Sequence, residues 1–252
     1  MSSPRCCTYT PNYNYNKSGY LKECLDSLAA LTYKNLDIII IDDGSTDGSQ
    51  DLISKYALQD NRITFISKEH WVGSRRGQGW INEALRWADA HGCEFFSVAD
   101  SDDILSPDYW ETVLPYFTGP EIGIVRVGLW KLEEGRKPRL VRPKPITGPA
   151  DLLVQNMINI SSPFRMDVWR EVGDWDENIA WNDWDFWTRA ILRYGWKFST
   201  CKEPAFSYRV HSSQMSKESH TKRFDELIGY MRTKYANDLA NQNMKAGYGA
   251  WK

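Results

Sequence analysis

Ile38-Ile39-Ile40-Ile41-Asp42-Asp43-Gly44-Ser45-Thr46-Asp47-Gly48 is the stretch from which the fold can be read. Four consecutive β-branched aliphatics show no polar alternation, so the strand they form is buried on both faces, as in a parallel sheet covered by helices. Acidic and turn-forming residues follow at once and end that strand. Working outward, strand patterns are expected at Arg5–Thr10, Ile63–Ile66 and Phe95–Ala99. Helical periodicity falls between them, at Ser18–Leu31, Asp47–Leu58 and Gly79–Ala90. Alternation of this kind makes an open α/β sheet with right-handed crossovers. Further along, the pattern predicts a helix over Pro107–Phe117 capped by Ser106, a strand over Gly123–Leu132, a helix over Asp183–Tyr194 and a short strand over Ala205–Val210. A polar, mostly helical stretch follows from Lys217 to Asn241.

Composition narrows the function. The 252 residues carry a net charge of −2, which argues against a dedicated nucleic-acid binder. With 42% hydrophobic residues, disorder is excluded. The purest aliphatic run, Ile38–Ile41, is far short of the ~20 residues that a bilayer span requires. Met1–Tyr9 has no apolar stretch of the secretory kind. Five cysteines, without a Cys-x-x-Cys pair, fit a reducing compartment, so a cytoplasmic location is expected, with peripheral attachment at the inner face of a membrane left open. Trp is over-represented: 12 residues, six of them between Trp169 and Trp196. Aromatic core and flat binding surface are both compatible with that cluster.

Open α/β sheets bind ligands at the carboxyl ends of their strands. Here those ends read Pro11-Asn12-Tyr13-Asn14, Asp42-Asp43-Gly44-Ser45 and Asp100-Ser101-Asp102-Asp103. Either acidic cluster alone could be a turn and helix cap. Together on one edge they repel each other unless a cation or a donor-rich ligand lies between them. Carboxylates of this spacing suit a hard cation such as Mn²⁺ or Mg²⁺ with positions open for phosphate oxygens. A calcium loop starting at Asp43 fails, because its twelfth position would be Ser54. Gly77-Gln78-Gly79 continues to Asn82, and no Gly-Lys-Ser/Thr follows a strand, so neither dinucleotide nor P-loop cradle fits. The implied ligand is a diphosphate carried by a metal.

Taken in order, these motifs resemble glycosyltransferase family 2, with its GT-A fold. The resemblance continues in Arg76-Gly77-Gln78-Gly79, in Pro163-Phe164-Arg165 with Gly173-Asp174-Trp175-Asp176, in Asn182-Asp183-Trp184-Asp185-Phe186-Trp187 and in Tyr208-Arg209-Val210-His211. It covers residues 5 to 215. The fold it implies is an open, mixed, mainly parallel sheet flanked by helices. That sheet would form one domain, with a nucleotide-sugar half at about 5–105, an acceptor half at about 106–215 and a helical tail over 216–252.

The resemblance implies that Tyr13 stacks on the nucleotide base, that Asp43 accepts a hydrogen bond from it and that Arg76 lies nearby. Pro11 and Ser101 would belong to the same pocket, and Asp100 would contact the ribose. Asp102 and His211 would hold Mn²⁺ or Mg²⁺, and Asp183 would be the catalytic base of an inverting transfer from a nucleotide-sugar, UDP-linked by expectation. Asp185 is the rival base, because Asp183 could merely cap its helix; Trp181, Trp184 and Asp185 are the candidates for touching the acceptor, a glycan or a lipid-linked molecule. Asn182 and Gly77 depart from the family's usual acidic residue and Asn. The Gln-x-x-Arg-Trp element of processive members is missing, which speaks against polymer synthesis coupled to export. Two other functions remain open: a nucleotide-sugar-binding protein without catalysis, and a sugar-1-phosphate nucleotidyltransferase. The basic stretch Arg136–Lys144 reads as a solvated loop or hairpin, or as a greeting surface for an anionic acceptor.

Overall fold

A computed structural model describes residues 3–70, 80–179, 181–211 and 222–246. The amino-terminal part alternates β1 (Cys6–Asn12), α1 (Tyr20–Ala29), β2 (Leu36–Asp42), α2 (Ser49–Gln59), β3 (Ile63–Ser67), α3 (Ile81–Ala90) and β4 (Phe95–Val98). After it come β5 (Ile104–Leu105), α4 (Tyr109–Val113), β6 (Ile122–Glu133), β7 (Arg139–Val141), β8 (Phe164–Arg165), α5 (Met166–Val172), α6 (Asn182–Thr188) and β9 (Lys197–Val210). Two helices, α7 (Lys222–Lys234) and α8 (Ala236–Ala246), complete the described chain.

The strands form one mixed sheet in the order β3-β2-β1-β4-β8-β6-β9-β5, with β7 paired to β6. The long pairings, β1 with β2 and β6 with β9, are parallel, whereas the antiparallel ones are short. Residues alternate sides along β1 and β2. Ile39, Ile41, Cys7 and Tyr9 join one hydrophobic cluster, while Ile38, Ile40 and Cys6 join the other. All four isoleucines are fully buried, so the double-sided burial expected of the aliphatic run is what the fold contains.

Several elements differ from the sequence expectation. β9 is fourteen residues long, not a short strand starting at Ala205. Its first half is polar and half-exposed, and Pro204 sits where the register with β6 slips at Gly128, a position that tolerates a missing N–H. A Cβ on Gly128 would lie 2.8 Å from the Lys202 carbonyl, so glycine permits the two backbones to close there. The helix expected over Pro107–Phe117 shortens to α4 and a 3-10 turn, because Pro115 cannot donate inside a helix. The polar carboxyl-terminal stretch also packs: Met231 of α7 and Tyr235 just after it are fully buried in the first cluster.

Ile39→Ala should lower stability by about 2–5 kcal/mol, the cost of a cavity in a two-sided core. Denaturant titration by circular dichroism reads it as a lower midpoint with unchanged slope.

Candidate active site

Because β1, β2 and β4 are parallel, they release the chain at one edge. β8 runs antiparallel to both β4 and β6, which makes β6 and its parallel neighbour β9 point the same way as β4. The residues after Asn12, Asp42, Val98 and Val210 therefore arrive together, although they are spread over two hundred positions.

The paired aspartates after β2 divide their work. Asp42 is fully buried and ties the turn: Asn12 Nδ2 donates to it at 2.6 Å, the Ser45 N–H at 2.8 Å and Gln50 Nε2 at 3.0 Å. Asp43 faces the site, receiving the Trp80 indole N–H at 2.9 Å and lying 3.0 Å from His70 Nδ1. The His70 ring stacks on Tyr13, with centroids 4.2 Å apart and planes 8° apart. Gly44 makes the approach possible: its φ is +72°, and a Cβ there would meet the His70 backbone nitrogen at 2.5 Å. Tyr13 keeps 40% of its surface exposed, the profile of an aromatic face open to a ligand. Pro11 is half-buried beneath it, in register with Ile41, and Ser101 is buried in the turn after β4.

Beside this pocket, one carboxylate oxygen from each of Asp100, Asp102 and Asp103 lies within 4.8 Å of the others. Asp103 accepts the Arg209 backbone N–H at 2.9 Å, while its second oxygen is buried with no partner among the described residues. His211 Nε2 is 2.8 Å from Asp102 Oδ2. Burial first, then the charges of Asp102 and Asp183, push the Asp100 carboxyl up to about 7. That carboxyls repel one another and one buried oxygen is unsatisfied fits a divalent cation, which oxygen and imidazole ligands of this kind accept. Arg209 braces the group: its Nε donates to the Asp102 carbonyl at 3.0 Å, and its guanidinium pairs with Glu23 and lies over Tyr20.

Across the cleft, α6 begins at Asn182 after Trp181, whose φ of +60° is left-handed. Asp183 is 7% exposed and accepts Asn156 Nδ2 at 2.7 Å. Burial raises its carboxyl to about 6; Asn156 and the backbone N–H groups at the helix start pull it back. Its charge is near enough to raise Asp100, so base candidate and acidic cluster share one cleft.

The family model described as "Glycosyl transferase family 2" matches residues 9–170, well over half of the chain. The chain belongs to glycosyltransferase family 2. GlyG of Streptococcus pneumoniae, named a glycosyltransferase, is 27% identical over 170 residues, covering 66% of this chain and 50% of that protein. The chain spans half or less of the length of the first curated relatives it matches. Among solved structures, residues 1-349 of S. aureus TarS, in complex with UDP-GlcNAc, superpose with a TM-score of 0.70 at 16% identity, covering 92% of this chain and 67% of that one. The mannosyltransferase PcManGT from Pyrobaculum calidifontis, in complex with GDP-Man and Mn²⁺, superposes at 0.64 and 15% identity, covering 100% and 82%. The sheet is thus of the GT-A kind, as in other family 2 glycosyltransferases.

Within this family 2 frame, several expected site residues are brought together and others are not. Tyr13 and Asp43 meet through His70 in one group, Asp100, Asp102 and His211 form a second, and Asp183 lies near enough to the second for its charge to act on Asp100. Arg76 lies outside the described residues. Asp185 does not reach the acceptor side: it is fully buried, takes the Tyr235 hydroxyl and Lys234 Nζ at 2.6 Å each and anchors α7 on α6. Trp184 is likewise core, 1% exposed with its indole N–H on the Leu152 carbonyl, since all of α6 is enclosed. Trp181 stays half-buried at the helix start. The tryptophan excess is mostly core: Trp175 and Trp187 pack with Phe164 and Phe186. His70 joins Tyr13 and Asp43, and Asn156 holds Asp183; no local pattern in the sequence marks either.

Two outcomes check this geometry. Asn156→Ala removes the donor that favours the ionised form, so the Asp183 carboxyl should titrate above its value of about 6, as read by carbon NMR. Gly44→Ala should cost about 1–2 kcal/mol for the left-handed turn alone and also displace His70 from Tyr13, visible as moved imidazole ring-proton resonances.

Proposed function

We propose that this family 2 protein is an inverting, metal-dependent, non-processive glycosyltransferase that moves a sugar from a UDP-linked donor to a hydroxyl of a glycan or lipid-linked acceptor, working as one domain. The observation that carries this reading is the partition of one cleft into an aromatic and carboxylate pocket at Tyr13 and Asp43, an acidic cluster at Asp100–Asp103 and a single buried carboxylate at Asp183. TarS and PcManGT, which share the fold, were solved with UDP-GlcNAc and with GDP-Man and Mn²⁺. No described helix is long and apolar enough to cross a membrane, which accords with transfer uncoupled from export.

In this reading Tyr13 stacks on the nucleobase and Asp43 accepts its N–H; Pro11, Ser101 and Arg76 complete the pocket. Asp100 binds the ribose hydroxyls. Asp102, with His211 and the buried Asp103, would hold Mn²⁺ or Mg²⁺, whose positive charge offsets that growing on the departing diphosphate. Asp183 takes the proton of the acceptor hydroxyl. The hydroxyl oxygen attacks the anomeric carbon from the face opposite the diphosphate, so the bond to the leaving oxygen breaks as the new glycosidic bond forms and the configuration inverts. Asn156 orients Asp183 for this, and its raised affinity for a proton, about 6, places it near the operating pH.

Asp183→Asn should slow transfer by roughly 10²–10⁴-fold, the usual worth of a general base, while UDP affinity stays nearly unchanged. Loss of nucleotide binding in that variant would refute the assignment as base. The rate should rise with pH through about 6 and level off above it, because only the ionised carboxylate accepts a proton. The stability sign is opposite. The folded carboxyl holds its proton more tightly than at the ordinary 3.8, so a cost to folding is present above about pH 6 and relieved as pH falls towards 4. Asp102→Ala should weaken UDP far more than uridine in thermal shift with Mn²⁺, and no nucleotide response in the wild type would remove the donor site itself.

A further inference from the structure

Several of the described cations in this protein have acidic partners: Arg5 pairs with Asp37, Arg62 with Asp60, Lys68 with Glu83, Arg170 with Asp89 and Arg193 with Asp238. The hairpin of β6 and β7 gathers cations in one short stretch. Between Lys131 and Lys144 the sequence KLEEGRKPRLVRPK carries six cations and two acids, in a chain whose net charge is −2. Glu133 neutralises Lys131 and Arg136. Lys137, Arg139, Arg142 and Lys144 are exposed, and none forms an ion pair with the described residues. Like charges gathered without compensation raise a positive potential that attracts anions. Trp130, 38% exposed and in register with Leu140, adds a flat ring to the same hairpin.

The base of the hairpin contains a second, buried charge. Arg126 of β6 is 3% exposed and has no carboxylate partner among the described residues; its Nε donates to the Met157 carbonyl at 3.0 Å and one terminal nitrogen to the Lys144 carbonyl at 2.7 Å. Burial lowers its pKa only to about 10, so it remains a cation at neutral pH. Buried charges are normally paired, and this one is answered by carbonyls and by the face of Phe198, 5.4 Å from its guanidinium carbon. Those carbonyls tie the end of the basic hairpin to Met157, adjacent in sequence to Asn156, which holds Asp183.

We infer that the acceptor is an anionic saccharide, phosphate- or carboxylate-bearing, that runs along the basic hairpin towards the acceptor side of the cleft, while Arg126 holds the end of that hairpin in place. This rests on the transferase reading above and names the substrate class of its acceptor site. A bilayer could touch the exposed hairpin, but the end of that hairpin is tied through Arg126 to Met157, next to the Asn156 that holds Asp183, which favours a chain that enters the cleft.

The test uses the whole protein with Mn²⁺, and as probes fluorescent polyphosphate, polygalacturonate and neutral dextran, with phosphatidylglycerol vesicles as a separate arm. The wild type should bind at least one soluble polyanion and not dextran, and that polyanion should slow the hydrolysis of UDP-GlcNAc or GDP-Man by filling the acceptor side. The exposed quadruple variant Lys137→Gln/Arg139→Gln/Arg142→Gln/Lys144→Gln, which disturbs no buried contact, should lose about tenfold or more in polyanion affinity while UDP affinity holds. Arg126→Gln should lose affinity as well, and the quadruple variant keeps the test decisive if that protein does not fold. Equal binding of dextran, an unaffected quadruple variant, or binding to vesicles but not to soluble polyanions would overturn the inference and leave the transferase reading standing if UDP still binds. Polyanion binding without any nucleotide binding would instead overturn both.

Discussion

Carboxylates that cannot all be charged at once set the terms of this cleft. Asp100, Asp102 and Asp103 present oxygens within 4.8 Å of one another, and Asp183 adds its charge from the opposite wall. Apart from a cation, the fold has few ways to hold them: it must bury some, donate hydrogen bonds to others and bring positive groups close. Each device is visible. Asp103 is buried against the Arg209 backbone N–H, His211 stands beside Asp102, and Arg209 spans the Asp102 carbonyl and Glu23. The pairing of β6 with β9, which delivers Arg209 and His211, is in this sense part of the acidic cluster's own support.

The same economy separates neighbouring residues of identical type. Asp42 and Asp43 are adjacent, yet one is consumed by Asn12, Ser45 and Gln50 and the other faces the Tyr13 pocket. Asp183 and Asp185 sit on one helix two positions apart, close to opposite sides, so one looks into the cleft and the other into α7. Residue type told which positions could carry chemistry, whereas direction told which of them do. Direction is a property of the strand pleat and the helix turn.

Much of this was legible in the chain. The isoleucine run announced a sheet covered on both sides, and two acidic clusters after strand patterns pointed to a shared edge. What escaped the sequence was non-local. β8 is two residues long and has no period to detect, yet it sits between β4 and β6 and fixes the direction of everything beyond it. The first half of β9 is polar enough to resemble a loop. The tryptophans around Asp183 could serve a sugar surface or a core, since an indole suits both; their packing on Leu152, Phe164 and Phe186 decides for the core. His70 and Asn156 have no neighbours in sequence that reveal their partners, which lie 27 residues away in each case.

The meeting of Asp102 with His211 joins positions 109 residues apart in the chain. Loop closure of that length is costly, and contacts of such separation form late and slowly. The group at Tyr13, Asp43 and His70 draws on the first seventy residues, whereas the contact of Asp102 with His211 needs β9 docked along β6. That second contact therefore reports that the whole sheet has closed.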